Sequence, residues 1–158
     1  MTRPSEALAA LGLALPPVVP PVAAYVPAVR DGDKVWTSGQ LPMVDGALAA
    51  TGLVGESVSP ETVSPQDAQA LARICALNAI AAAADVAGGI DALAGVLKVV
   101  GFVASAPGFT GQPAVINGAS GLLGEVFGEA GKHARSAVGV AALPLGAPVE
   151  VEVIFRVA

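Results

Sequence analysis

His133–Val153 reads HARSAVGVAALPLGAPVEVEV and divides into two strand-like halves around a turn. Arg135 opens the first half, fourteen uncharged residues follow from Ser136 to Val149, and Glu150 is the next ionisable group. Leu143-Pro144-Leu145-Gly146 carries the proline and glycine of a turn. The spacing therefore predicts strands over Arg135–Ala142 and Val149–Val157. In the second strand Val149, Val151, Val153 and Phe155 alternate with Glu150 and Glu152, so one face is apolar and the other carries two carboxylates.

Upstream, Val96–Ala104 (VLKVVGFVA) is valine-rich and reads as a central strand. A helix is expected from about Pro113 to Gly131, with Val115, Ile116, Ala119, Leu122, Leu123, Val126 and Phe127 as its inner stripe. Ser64-Pro65-Gln66-Asp67 is a helix start: a hydroxyl cap, proline in the first turn and an acid near the positive end of the dipole. That helix should run to Gly88-Gly89 and lie buried on a sheet, because Ala68, Leu71, Cys75, Asn78 and Ala82 share helical spacing, as do Ile74, Leu77 and Ala81. Ala23–Met43 (AAYVPAVRDGDKVWTSGQLPM) predicts a hairpin turning at Asp31–Asp33. Val44–Ser64 leaves room for a short strand and a loop. The order is hairpin, helix, strand, helix, strand, strand, which is an α+β layer with the helices on one face of the sheet.

The chain of 158 residues has the length of one domain, and 1–158 is read as such, with 1–22 forming a short helix (Ser5–Leu11) and a Pro-rich arm. Hydrophobic residues make up 54% and charged residues only 13%, too little charge to wet the whole surface of a monomer. Part of the apolar surface is therefore expected to be covered by another subunit. The basic residues do not cluster, the net charge is −5, and no charge lies between Lys98 and Glu125, so nucleic acid is not an expected partner. Cys75 and His133 are the only residues of their types, which excludes an internal disulfide and a Cys/His-rich zinc site. The uncharged span Ala7–Val29 has membrane-like length, but its prolines would break a spanning helix. No signal or membrane segment is expected, and the default compartment is the cytoplasm.

Neither nucleotide-binding glycine loops nor metalloprotease or serine-hydrolase motifs occur. A Ser-His-Asp triad would have to use His133, which has no obvious orienting acid nearby in sequence. Arg135 in an apolar setting needs a partner, and its planar fork suits a carboxylate. That carboxylate is either an acid of this or a neighbouring subunit or a ligand's, and spacing alone favours the protein acid. Glu150 becomes a candidate base only if its face lines a desolvated cleft. Gly39 in Thr37-Ser38-Gly39-Gln40 suits a bulge, a strand end or a close ligand approach. Tyr25 and Trp36 suit core packing or pocket lining; Asn117 and Asn78 suit capping, an interface or a ligand contact.

The ending ARSAVGVAALPLGAPVEVE resembles the signature of the Rid family, the reactive-intermediate imine deaminases also called YjgF-like or L-PSP proteins. The resemblance continues collinearly through AAYVPAV, VWTSGQLP, ARICALNAI and VVGFVASAPGFTGQPAVINGASGLL. LNA and FTxQPxVINGAS in a longer chain are similar to a subgroup set apart from the short founding members. The resemblance implies a chorismate-mutase-like α+β fold, a mixed sheet with two main helices packed on one face, assembled as a homotrimer with three inter-subunit clefts. It also implies that Arg135 clamps the carboxylate of a 2-imino acid and that Glu150 positions or activates the attacking water. Tyr25 would line the cleft from the adjacent chain, backbone groups at Gly39 and Ala137 would hold the substrate, and Ser38 and Asn117 would lie near the pocket. No metal or organic cofactor is implied. His133 stands where the family often has proline or alanine, Ala137 replaces a frequent cysteine, and one extra residue separates Asn117 from Arg135. The expected activity is hydrolysis of 2-imino or enamino acids to 2-keto acids and ammonia. A trimeric carboxylate-binding module without turnover is the second reading, and a ribonuclease or translation-inhibitor role ranks last.

Overall fold

Ser64 starts the longest helix as its hydroxyl allows: Oγ accepts the Asp67 N–H at 3.0 Å, and Pro65 needs no partner at the first helical position. The computed structural model describes residues 1–18 and 23–158, and in it this helix, α2, spans Pro65–Ala87 and ends on Gly88 at φ 94°. Gly88 adopts that left-handed conformation without a Cβ penalty, and its N–H caps the Ala84 carbonyl. The other helices are α1 (Pro4–Ala10) and α3 (Gln112–Phe127).

The strands are β1 (Ala28–Asp31), β2 (Lys34–Thr37), β3 (Met43–Val44), β4 (Ala47–Leu48), β5 (Leu53–Val54), β6 (Thr62–Val63), β7 (Leu93–Ala104), β8 (Ala134–Val140) and β9 (Val149–Val157). Five of them form one mixed sheet in the order β1-β2-β9-β7-β8. Every pairing in it is antiparallel except β7–β8, which is parallel because α3 carries the chain back to the starting end. β3–β4 and β5–β6 are separate two-stranded pairs, so Val44–Ser64 holds more strand than the single short one expected from it.

α2 lies on β9 and its neighbours and α3 on β7 and β8, so the two main helices cover one face, as expected. Small side chains let them close up. Ala72, Ala76, Ala79 and Ala83 of α2 are buried, and a Cβ on Gly118 of α3 would run into the Gln69 carbonyl oxygen of α2. A Cβ on Gly101 of β7 would enter the Ile116 side chain of α3. α2 is long and apolar enough to cross a membrane, but most of it is buried as the core helix of this layer.

The element ends differ modestly from the sequence reading. β7 begins at Leu93, after a 3₁₀ turn over Ile90–Ala92, and α3 gives way at Gly128 to a 3₁₀ turn over Gly128–Gly131. β8 stops at Val140, and the following turn tightens into a 3₁₀ segment with Leu145 at φ 60°. α1 begins one residue early, at Pro4, and is tied down by Asp91, whose carboxylate accepts from the Ser5 N–H at 2.9 Å and the Ser5 hydroxyl at 2.7 Å. Leu13 and Leu15 of the expected arm pack on the core, while its Val19–Val22 portion lies outside the described residues.

Among the described residues, no helix lies on the opposite face of the sheet. Cross-strand register sets Val29, Trp36, Ile154 and Lys98 in one row, Glu152, Val100 and Ser136 in a second, and Glu150, Phe102 and Val138 in a third. Trp36 is 49% exposed here, so it is not part of the core of this chain; nor is Tyr25, at 60%. Both rings lie at the surface of the described residues.

Candidate functional site

Arg135 sits on β8, the edge strand, opposite the buried Val99 of β7. Its side chain consequently points to the helix face and meets α3. Nη1 donates to Asn117 Oδ1 at 2.8 Å and to Ser120 Oγ at 3.3 Å, and Nη2 donates to the Pro113 carbonyl at 3.3 Å. All three acceptors are neutral. Among the described residues no carboxylate lies within ion-pair distance of Arg135, so the protein acid favoured by spacing is not found within the chain. A guanidinium carries five N–H donors; α3 engages Nη1 and one hydrogen of Nη2, leaving Nε–H and a second Nη2–H to offer. Those two suit the two oxygens of a carboxylate.

Asn117 and Ser120 are three apart on α3 and therefore share the surface that faces β8. Ser120 also contacts His133 Nε2 at 2.9 Å, and His133 Nδ1 contacts the Gly131 carbonyl at 2.6 Å. His133 thus has a serine and an orienting main-chain oxygen, where the sequence showed only the absence of an acid. Ala137 follows Arg135 by two residues, shares its face, and lies partly buried opposite Gly101. Because β8 pairs on one side only, alternate backbone groups around Ala137 point away from the sheet.

Glu150 belongs to another environment. From β9 it pairs with Phe102 of β7 on the face away from the helices, while Val149 and Val151 beside it are buried on the helix face. Burial, and secondarily the neighbouring Glu152 charge, raises its carboxyl above the ordinary glutamate value. Gly39 makes this placement possible, since a Cβ there would collide with Glu150 Oε1. The glycine sits in a bulge: Trp36 pairs with Ile154 but Gln40 with Val151, so the β2 side holds one residue more than β9. Thr37 repairs the ladder there, its Oγ1 accepting the Val153 N–H at 3.0 Å.

Ser38 anchors the segment that carries Tyr25. Its Oγ donates to the Val26 carbonyl at 2.6 Å and its N–H to the Pro27 carbonyl at 2.8 Å. Tyr25, Ser38, Gly39 and Glu150 therefore form one group, and Arg135, Asn117 and Ala137 form another. The two are separated by β7 and by the thickness of the sheet. Within one chain the turn after β8 does not bring Glu150 into the cleft of Arg135, because their side chains leave opposite faces. Asn78 has a scaffold role: its Nδ2 donates to the Leu41 and Met43 carbonyls, both at 3.1 Å, which holds the strand leaving the bulge.

The residues that sequence reasoning passed over are Ser120 and the Pro113 carbonyl, and it underrated His133. Helical spacing from Asn117 and strand alternation from Arg135 were the available signals for Ser120 and His133.

Comparison with known proteins matches this architecture. A family model described as "YjgF/chorismate_mutase-like, putative endoribonuclease" covers residues 5–155. Protein TCP17 of Trypanosoma cruzi is 44% identical over 155 residues, spanning 98% of this chain and 94% of its own. The crystal structure of Atu1372 from Agrobacterium tumefaciens is 44% identical with a TM-score of 0.84, covering 96% of this chain and 91% of that one. Escherichia coli TdcF, solved with bound serine, is 26% identical with a TM-score of 0.61 over 89% of this chain and 94% of its own. With the mixed sheet, the two helices on one face and a match from residue 5 to residue 155, the chain belongs to the YjgF/chorismate-mutase-like family.

Proposed function

We propose that this protein hydrolyses 2-imino or enamino acids to 2-keto acids and ammonia, in clefts between the subunits of a cytoplasmic homotrimer. The observation that carries the reading is the Arg135 guanidinium, held by three neutral acceptors and with N–H donors left for an anion. Bound serine in TdcF supports a small carboxylate-bearing ligand. The division of the site residues into two groups supports an assembly: one chain supplies Arg135, Asn117 and the free edge near Ala137, and a neighbour supplies Glu150, Gly39 and the Tyr25 segment. The uncovered face, with Trp36, Val138 and Phe102 in its rows, is the surface available for such contacts.

The chemistry asks for orientation and one base. Arg135 fixes the substrate carboxylate; water adds to the carbon of the protonated C=N bond and loses a proton to Glu150. That proton passes to nitrogen; as the C–N bond breaks, the hydroxyl of the tetrahedral intermediate gives its proton to Glu150, so the carbonyl forms, ammonia leaves, and Glu150 then releases the proton to ammonia or solvent. The reaction is redox-neutral, and its charges are met by the arginine and the glutamate. Raised by burial, Glu150 holds a proton to higher pH than an ordinary glutamate, which suits a group that must both accept and return one.

A carboxylate-binding protein without turnover is the second reading, favoured by the fact that the Arg135 group is complete within one chain whereas Glu150 is remote from it. A coupled assay separates the two: an amino-acid oxidase generates the imine and semicarbazide traps what survives. Wild type is expected to accelerate imine loss, and Arg135→Ala to reduce that acceleration on the order of 100-fold, the value of a charge-assisted bidentate contact. No acceleration by wild type across several side chains, with pyruvate still bound, would leave the binding reading in its place.

A further inference from the structure

The hydrogen-bond network behind Arg135 extends beyond the acceptors that touch it. His133 Nδ1 lies 2.6 Å from the Gly131 carbonyl oxygen. A carbonyl only accepts, so this contact places a proton on Nδ1 and, in the neutral ring, leaves Nε2 as a lone pair. Ser120 Oγ is 2.9 Å from Nε2, so the hydroxyl proton goes to the ring. With that proton committed, Oγ faces Arg135 Nη1 at 3.3 Å as an acceptor. A hydroxyl proton turned toward Nη1 would set donor against donor.

Each member is anchored by a different element. Gly131 ends the 3₁₀ turn after α3 and is buried, packed so closely that a Cβ there would strike the Leu123 carbonyl oxygen. Ser120 lies inside α3, where its backbone N–H belongs to the helix and cannot serve an oxyanion, so the pair lacks the parts of a hydrolytic serine. His133 immediately precedes β8 and shares the Arg135 face.

We infer that His133 and Ser120 are positioning residues for Arg135, a one-way chain from Arg135 Nη1–H through Ser120 Oγ–H and His133 to the Gly131 carbonyl that orients the guanidinium for a planar carboxylate. The inference deepens the proposed anion clamp and rests on it for its functional consequence, but the chain itself is a property of the free protein.

The test has a ligand-free arm and a ligand arm. His133 is the only histidine, so ¹⁵N NMR of the imidazole reads its tautomer without assignment. With the ring neutral, Nδ1 is expected to be protonated and Nε2 bare; the opposite tautomer overturns the inference. Arg135→Ala is expected to move the Nε2 resonance, because it removes a donor from the hydroxyl that Nε2 binds, and an unmoved resonance also overturns it. In the second arm, calorimetry measures pyruvate binding to the full chain. His133→Ala and Ser120→Ala are each expected to weaken binding about tenfold, the usual scale for a group that orients a ligand-binding side chain. Ser120→Thr, which keeps the hydroxyl, is expected to restore it. In the imine assay the same alanine variants are expected to raise KM with little change in kcat. Ser120→Ala serves if His133→Ala does not fold. Pyruvate bound equally by wild type and both alanine variants would overturn the inference while leaving the clamp standing. Pyruvate bound by none of them, wild type included, would remove the clamp, and the NMR arm then decides the chain alone.

Discussion

The two faces of the central sheet are finished differently. The helix face is closed by the chain itself: Val99, Val103, Val149, Val151, Val153 and Phe155 lie under α2 and α3, fully shielded from solvent or nearly so. The other face carries Trp36, Phe102 and Val138 together with Glu150, Glu152 and Lys98, and no helix among the described residues covers it. The first face stabilises the fold. The second holds a glutamate whose proton affinity depends on how far water is excluded, and within one chain that exclusion is incomplete. Arg135 escapes this dependence because α3 supplies its hydrogen-bond partners within the same chain.

Replacing Phe102 by Glu gives the sharpest test of this contrast. A carboxylate in the middle of the open face, in the row of Glu150, should leave the circular dichroism spectrum intact and abolish self-association, so that light scattering reads the mass of one chain and imine hydrolysis is lost. Unchanged assembly in that variant would show that the open face is not the contact surface. On the helix face the matching test is Gly118→Ala. Its new Cβ meets the backbone carbonyl of Gln69, which cannot move aside as a side chain can, and the expected cost is about 3 kcal/mol by denaturant unfolding. A neutral result would mean that α2 and α3 slide freely past one another.

Glu150→Gln probes a smaller effect with a definite sign. The Glu150 carboxyl is raised in the folded chain, chiefly by burial, so the folded state binds more protons than the unfolded state between the ordinary glutamate value and the raised one. Stability therefore falls as pH rises through that window, and the charge remains a burden above it. The group is only partly buried, so solvent screening keeps the burden small. At neutral pH the variant is expected to lose turnover and to show a slightly higher Tm. A lower Tm would mean that the carboxylate is paired in the assembled protein, which would sharpen the contrast by giving the open face an electrostatic partner.

Much of this architecture can be read locally. The Ser64 cap, the proline after it and Gly88 mark the ends of α2 because capping involves only neighbours along the chain. The hairpin turn at Gly32-Asp33 and the alternation of β9 are equally local. Val44–Ser64 is harder to read because the four strands between Met43 and Val63 are two residues each, too short for any periodicity to show. The one-residue bulge at Thr37–Gly39 was open as one of several uses of Gly39; only the register of β2 against β9 selects it.

The candidate site follows the same division. Residue chemistry alone marks Arg135 as a cation in need of a partner and Glu150 as the carboxylate that ends a fourteen-residue uncharged run, because both stand out against that run. Tertiary structure alone decided which face each occupies. That outcome depends on β8 joining β7 in parallel and β9 joining it antiparallel, with one register fixing Arg135 opposite Val99 and the other fixing Glu150 opposite Phe102. It alone also gave Arg135 neutral acceptors from α3 and gave His133 its serine, since those contacts join residues whose nearness is set by packing rather than by sequence separation. Strand alternation dictates that successive side chains part company across a sheet; which of them meets a helix, and which is left for another surface, is settled only when the layers pack.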